Sequence, residues 1–232
     1  MSIREPTHDA AGDHPGTAVR LISDDDASYI AGLFGPSLKR EVRLELFASE
    51  TNCLYCGQTR QLLEELVSLT SLLRLDVRDL ERERDRADEL HVEQAPTTVV
   101  HANNGTRFYF LGLPSGHQLR AVAEDIVDAS EGSTGMSEFA RLVVDSVQRP
   151  MTVDVFVTPM DPYSPIVVRA AHRLAMENPN IRARMVEIME FPDMALKYNV
   201  IGVPKIVIDE KIVFDGALAE EALAELLQAA AR

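Results

Sequence analysis

The sequence predicts an α/β protein made of two copies of one unit, each a central mixed sheet flanked by helices. Three observations predict it. Cys53-Leu54-Tyr55-Cys56 in the first half is echoed by Asp161-Pro162-Tyr163-Ser164 in the second, with tyrosine at the same place. Each half carries a proline directly before a β-branched run, Pro96 and Pro204. Pro96 follows Cys53 by 43 residues and Pro204 follows Asp161 by 43. Equal spacing between otherwise dissimilar segments marks a duplicated unit, and 232 residues suit two modest cores of about 100 residues each.

The elements follow in the same order in both halves. Val42 to Ser49 (VRLELFAS) reads as a strand delivering Cys53 to a helix that runs to about Leu69, with Leu62, Leu63, Leu66 and Leu69 at helical spacing. Thr152 to Thr158 delivers Asp161 to a helix carrying Val167, Ala170, Ala171 and Leu174. A second strand comes next, Leu72 to Val77 and Ile181 to Ile188, then a short helix. After each proline a strand, a polar turn (Asn103-Asn104-Gly105; Asp209-Glu210-Lys211), a strand ending in Gly112 or Gly216 and an amphipathic helix are expected. A proline directly before a buried strand implies a special turn, for which a cis X-Pro bond is the usual device. The expected division is a disordered tail over 1–18, where a polar, Gly- and Pro-containing composition outweighs weak metal binding by His8 and His14, then units over 19–132 and 133–232.

A formal charge of −14 without clustered Lys and Arg argues against nucleic-acid binding, which needs phosphate neutralisation. No apolar run reaches the roughly 18 residues that span a bilayer, and no basic-then-apolar leader opens the chain, so a cytoplasmic protein with no membrane partner is expected.

Cys53 and Cys56 are the only cysteines. Two intervening residues let both sulfurs meet at the start of one helix as a small, reducible disulfide. There the unpaired N–H groups and the helix dipole stabilise a thiolate. Inert thiols and a zinc site are the other readings, but no second Cys-x-x-Cys accompanies the pair and His91 and His101 stand isolated. No metal and no bound cofactor are expected beyond the redox-active disulfide.

The element order and the two motifs together resemble the thioredoxin fold, and two such units resemble the glutaredoxin-like protein disulfide oxidoreductases, which are tandem thioredoxin-like folds. The resemblance runs from about Asp24 to Arg232 and includes Leu33-Phe34-Gly35, the stretch from Phe110 to His117, and Tyr198 to Ile208. It implies that Cys53 attacks a substrate disulfide and Cys56 resolves the mixed disulfide. It also implies that Pro96 sits opposite the dithiol and that the Ala95 backbone pairs with the substrate chain like an added strand. Tyr55 either shapes the approach to the sulfurs or packs beside them. Family members commonly carry Cys-x-x-Cys in both units; Asp161, Tyr163 and Ser164, with Val203 and Pro204, make a degenerate second site here. Flavin-linked reductases of peroxide metabolism also carry tandem thioredoxin folds, with the dithiol in the second unit instead.

The expected function is reduction of protein disulfides through a Cys53–Cys56 cycle, with disulfide-containing clients and a thioredoxin-reductase-like flavoprotein donor as partners. The alternatives are a non-catalytic tandem-fold adaptor and a dedicated electron carrier between a flavoprotein reductase and a peroxidase. Leu113 to His117 does not match the glutathione-binding pattern of glutaredoxins. Asp161-Pro162 reads as a helix cap followed by proline at the first helical position. Glu45 is either a proton-transfer group for Cys56 or a solvated side chain facing away from Leu44 and Leu46, and Glu81 to Glu89 (ERERDRADE) reads as a solvated helix face.

Overall fold

The computed structural model describes residues 20–51 and 53–232; the tail over 1–18, with His8 and His14, lies outside the described residues. The first half runs α1 (Asp24–Ser37), β1 (Val42–Ala48), α2 (Cys56–Val67), β2 (Leu73–Asp79), α3 (Arg84–Glu89), β3 (Thr97–His101), β4 (Arg107–Leu111) and α4 (Gln118–Glu131). The second repeats it as α5 (Glu138–Asp145), β5 (Met151–Val157), α6 (Ser164–Glu177), β6 (Ile181–Glu187), α7 (Pro192–Lys197), β7 (Lys205–Ile208), β8 (Ile212–Asp215) and α8 (Glu220–Ala231). Within each half the central strand pairs parallel with the second strand and antiparallel with the third, as β1 does with β2 and β3.

The two four-stranded halves are not separate sheets. β4 and β6 pair in parallel, Tyr109 opposite Arg184 and Leu111 opposite Val186, giving one eight-stranded sheet in the order β2-β1-β3-β4-β6-β5-β7-β8. Pairing satisfies two strand edges that would otherwise expose backbone donors and acceptors.

Alternation along the strands sorts side chains to two faces. Leu44, Leu46, Phe108, Phe110, Val153, Val155 and Met185 face α2, α4 and α6, where Leu62, Leu63, Leu66, Val167, Val168, Ala171 and Leu174 complete the larger core. Phe47, Val99, Tyr109, Leu111, Phe156, Val186 and Val207 face α3 and α7. The smaller helices there cover less of the sheet, so polar side chains occupy part of that face.

Helices α4 and α6 join the halves on the larger face through a buried polar cluster. His172 stacks on Phe108 and meets Phe110 edge-on, with ring centroids 5.1 and 4.9 Å away. Its Nδ1 lies 2.6 Å from Asp125 Oδ2, and Arg169 donates to Asp125 at 2.5 Å and forms an ion pair with Asp128 at 2.9 Å. Buried charges of this kind are costly singly and tolerable only when paired. Burial pushes the Asp128 carboxyl up to about 6 against the pull of Arg169.

Candidate functional site

β1 ends at Ala48 and the chain turns through Ser49 to bring Cys53 and Cys56 to the head of α2, where the two sulfurs form a disulfide with Cα atoms 5.4 Å apart. The helix begins at Cys56, so Cys53 stands just outside it. Tyr55 precedes the first turn, makes no side-chain capping bond, and is followed by no acidic residue in that turn. The positive end of α2 is therefore directed at the sulfurs without a competing carboxylate. Cys56 is buried, 7% exposed, and the Ser49 N–H donates to its Sγ at 3.3 Å. Cys53 is half-buried and Leu54 beside it is 81% exposed.

The peptide bond between Ala95 and Pro96 is cis, and so is that between Val203 and Pro204. Pairing of Thr97 with Phe47 places Pro96 beside the end of β1, at the sheet edge that carries the dithiol turn. Pro96 is buried and its carbonyl accepts from Gly112 N–H at 2.9 Å; Pro204 accepts from Gly216 at 2.9 Å. Among the described residues, neither the N–H nor the C=O of Ala95 or Val203 is hydrogen-bonded.

At the equivalent place in the second half, the carboxylate of Asp161 accepts from the Ser164 N–H at 2.6 Å and from the Ser164 hydroxyl. Helix α6 starts only at Ser164 and carries Pro165, not Pro162, in its first turn. The capping expectation is corrected in position but kept in kind: Asp161 lies outside the helix and reaches three residues forward to cap it. Tyr163 is 61% exposed.

Glu45 is neither solvated nor aimed at the thiols. It is fully buried on the α3 and α7 face, where Arg86 donates to it at 3.0 and 2.8 Å and Arg78 at 2.9 Å, and His101 Nε2 lies 2.9 Å away. Burial alone would raise its pKa, but the hydrogen bonds and charges of Arg86, Arg43 and Arg78 outweigh that and hold it at about 2. Arg86 comes from the segment expected to be a solvated face. It turns inward because Glu45 requires a counter-charge, and Ala87 beside it is also buried. Ser49 lies four positions beyond Glu45, roughly 13 Å along extended chain.

Two carboxylates beside Gly112 and Leu113 carry no sequence signal, since they come from the other half. Glu190 Oε1 accepts from the Leu113 N–H at 2.6 Å, and Glu187 accepts from the Glu190 N–H at 2.8 Å. Burial pushes Glu190 to about 7, and the neighbouring Glu187 charge adds to the rise. A Cβ on Gly112 would stand 2.7 Å from Glu187 Cβ, and its φ of 97° also suits glycine. Glu190 lines a cleft of about 330 Å³ together with Ser49, Glu81 and Ala95.

The fold and the half-exposed disulfide define a thiol–disulfide oxidoreductase of thioredoxin type. Comparison with known proteins places the chain itself. The family described as "Thioredoxin domain" matches residues 151–228, which is the half without cysteines. Thioredoxin from Methanocaldococcus jannaschii is 34% identical over 77 residues, covering 33% of this chain and 91% of that protein. The chain belongs to the thioredoxin family. A protein disulfide oxidoreductase from Aeropyrum pernix superposes with a TM-score of 0.83 at 29% identity, covering 90% of this chain and 94% of that one. The AhpF component of the alkylhydroperoxide reductase of Enterococcus faecalis superposes with a TM-score of 0.81 over 89% of this chain and 99% of that one; at 22% identity this speaks to fold alone. No helix among the described residues is long and apolar enough to cross a membrane.

Proposed function

We propose that the chain reduces disulfides of protein clients, with Cys53 as nucleophile, Cys56 as resolving thiol, and residues 133–232 as a unit without thiol chemistry. The observation that carries the reading is the asymmetry of the two sulfurs: Cys53 is reachable, while Cys56 is buried under a backbone N–H. The Cys53 thiolate attacks one sulfur of the client disulfide and expels the other as thiolate, leaving a mixed disulfide. Cys56, giving up its proton, attacks Cys53 Sγ and expels the second client thiolate. The Cys53–Cys56 disulfide then takes two electrons and two protons from a donor. Ala95, with both backbone groups unengaged, is suited to pair with an extended client beside Pro96, and Tyr55 borders the approach. Asp161, Tyr163 and Ser164 repeat the turn without sulfur, and Val203 and Pro204 repeat its backbone. No bound cofactor takes part, and a flavoprotein disulfide reductase in the same cytoplasmic compartment is the proposed donor. The resemblance to the alkylhydroperoxide reductase component supports a redox chain of that kind only through the fold.

Insulin reduction driven by a dithiol tests the assignment. Cys53→Ser should abolish turnover, and Cys56→Ser should accumulate mixed disulfides with clients. Wild-type turnover in Cys53→Ser refutes the mechanism, and a Cys53–Cys56 potential far from those of cellular dithiol donors favours the adaptor reading.

A further inference from the structure

We infer that the junction between the two halves carries a binding site for a phosphorylated small molecule, centred on Arg107 and Arg182. It lies on the α3 and α7 face, and its lining includes no residue of the dithiol turn.

The argument starts from the repeat. Leu73 pairs with Val42 in the first half and Ile181 with Met151 in the second, so Arg182 occupies the position of Arg74 and Pro150 that of Glu41. Arg74 donates to Glu41 at 2.6 Å. The second half keeps the arginine and replaces its counter-ion by proline. Arg182 forms no ion pair among the described residues.

The junction then sets a second cation beside it. β4 and β6 pair through Tyr109 and Arg184, and two residues back in that register stand Arg107 and Arg182. Strand alternation puts all four side chains on one face. Arg184 is neutralised by Asp154, at 2.5 and 2.7 Å. Among the described residues Arg107 forms no ion pair, and Arg107, Arg182 and Arg184 all act electrostatically on the buried Tyr109 phenol. Like charges facing each other across adjacent strands are destabilising, and this pair occurs in a chain with 37 acidic and 23 basic residues.

The acids nearby do not relieve it. Asp209 is held by Arg149 and Glu210 by Lys197; Glu89, which feels the Arg107 charge, is bound by Arg86, and Glu93 lines the second cleft, where it acts on Arg184. Arg107 and Arg182 open onto a cleft of about 600 Å³. It continues into a second of about 370 Å³, with His91, Tyr109, Thr152 and Arg182 common to both. Two guanidinium forks approaching from neighbouring strands suit one tetrahedral dianion, each offering paired N–H donors. The volume exceeds that of a bare phosphate, so the fitting ligand carries its phosphate on a small organic body.

Isothermal titration of the full chain with inorganic pyrophosphate, at ionic strength held constant with NaCl, tests the site. Saturable binding is expected, weakened about tenfold or more in Arg182→Gln and in Arg107→Gln, in line with loss of one charge-assisted fork. Arg120→Gln, which removes an arginine lying over Tyr29 elsewhere on the surface, should bind as wild type. Without ligand, Arg182→Gln should melt no lower than wild type, because the substitution relieves repulsion; this keeps a folding defect distinguishable from a binding defect. Adenosine diphosphate should bind at least as well as pyrophosphate. Absence of saturation at 10-millimolar pyrophosphate (on the order of a Kd too weak to matter), equal weakening by Arg120→Gln, or equal binding of citrate would each overturn the proposal.

Discussion

Replacing Glu45 by glutamine tests how the smaller face of the sheet tolerates a fully buried carboxylate. The side chain is bound by Arg86 and Arg78, with Arg43 and His101 close by. Its pKa stands at about 2 against an ordinary 4.5, and at about 1.4 kcal/mol per unit that difference corresponds to on the order of 3 kcal/mol of stability at neutral pH. The folded pKa is depressed, so the contribution is complete above about pH 4.5 and declines as pH falls through 2. At pH 3 roughly half of it or less remains. Glu45→Gln should therefore destabilise the protein by on the order of 3 kcal/mol at pH 7. Urea titration of both proteins at pH 7 and pH 3 should show that gap narrowing by about 2 kcal/mol. A gap below about 1 kcal/mol at pH 7, or one that does not change with pH, would show that the arginines do not depend on this carboxylate. Disulfide turnover per folded molecule should be unaffected, since the carboxylate's partners are Arg78, Arg86 and His101 rather than either sulfur.

Three further outcomes follow from the geometry. Glu190→Gln should stabilise the protein above pH 7 by on the order of 1–3 kcal/mol and leave it unchanged near pH 4; the wild-type carboxyl, held at about 7, costs stability as pH rises from 4.5 through 7, and thermal melts across that range read the sign. Gly112→Ala should cost about 2 kcal/mol more than Gly105→Ala: both glycines have positive φ, but only at Gly112 does a Cβ meet the other half of the chain, so paired denaturation curves isolate the contact. Asp161→Ala should lower stability by about 1 kcal/mol through loss of the α6 cap, with insulin reduction at the wild-type rate; a fall in turnover would place Asp161 in the reaction.

The dithiol, the two prolines and the strand–helix order are legible because each rests on local pattern. Val42 to Ala48 alternates as a strand, α2 carries leucines at helical spacing, and the repeat aligns Cys53 with Asp161 without reference to any contact. The environment of Glu45 is not legible, because its partners Arg78, Arg86 and His101 lie 33 to 56 residues away on three different elements, and Arg86 sits in a segment whose own composition reads as solvated. Glu187 and Glu190 leave no trace at all, since only the packing of β6 beside β4 brings them to Gly112 and Leu113.

By itself the sequence determined that the chain is a duplicated α/β unit with one dithiol and one vacated counterpart, because hydrophobic period, turn residues and spacing act over a few residues at a time. Only the tertiary structure decided that the halves share a single sheet. That decision depends on which two strand edges meet, and from it follow the acidic pocket beside Pro96 and the unpaired arginines opposite each other at the junction. Charges separated by half the chain become neighbours only when the edges that carry them are paired, and no local pattern records that pairing.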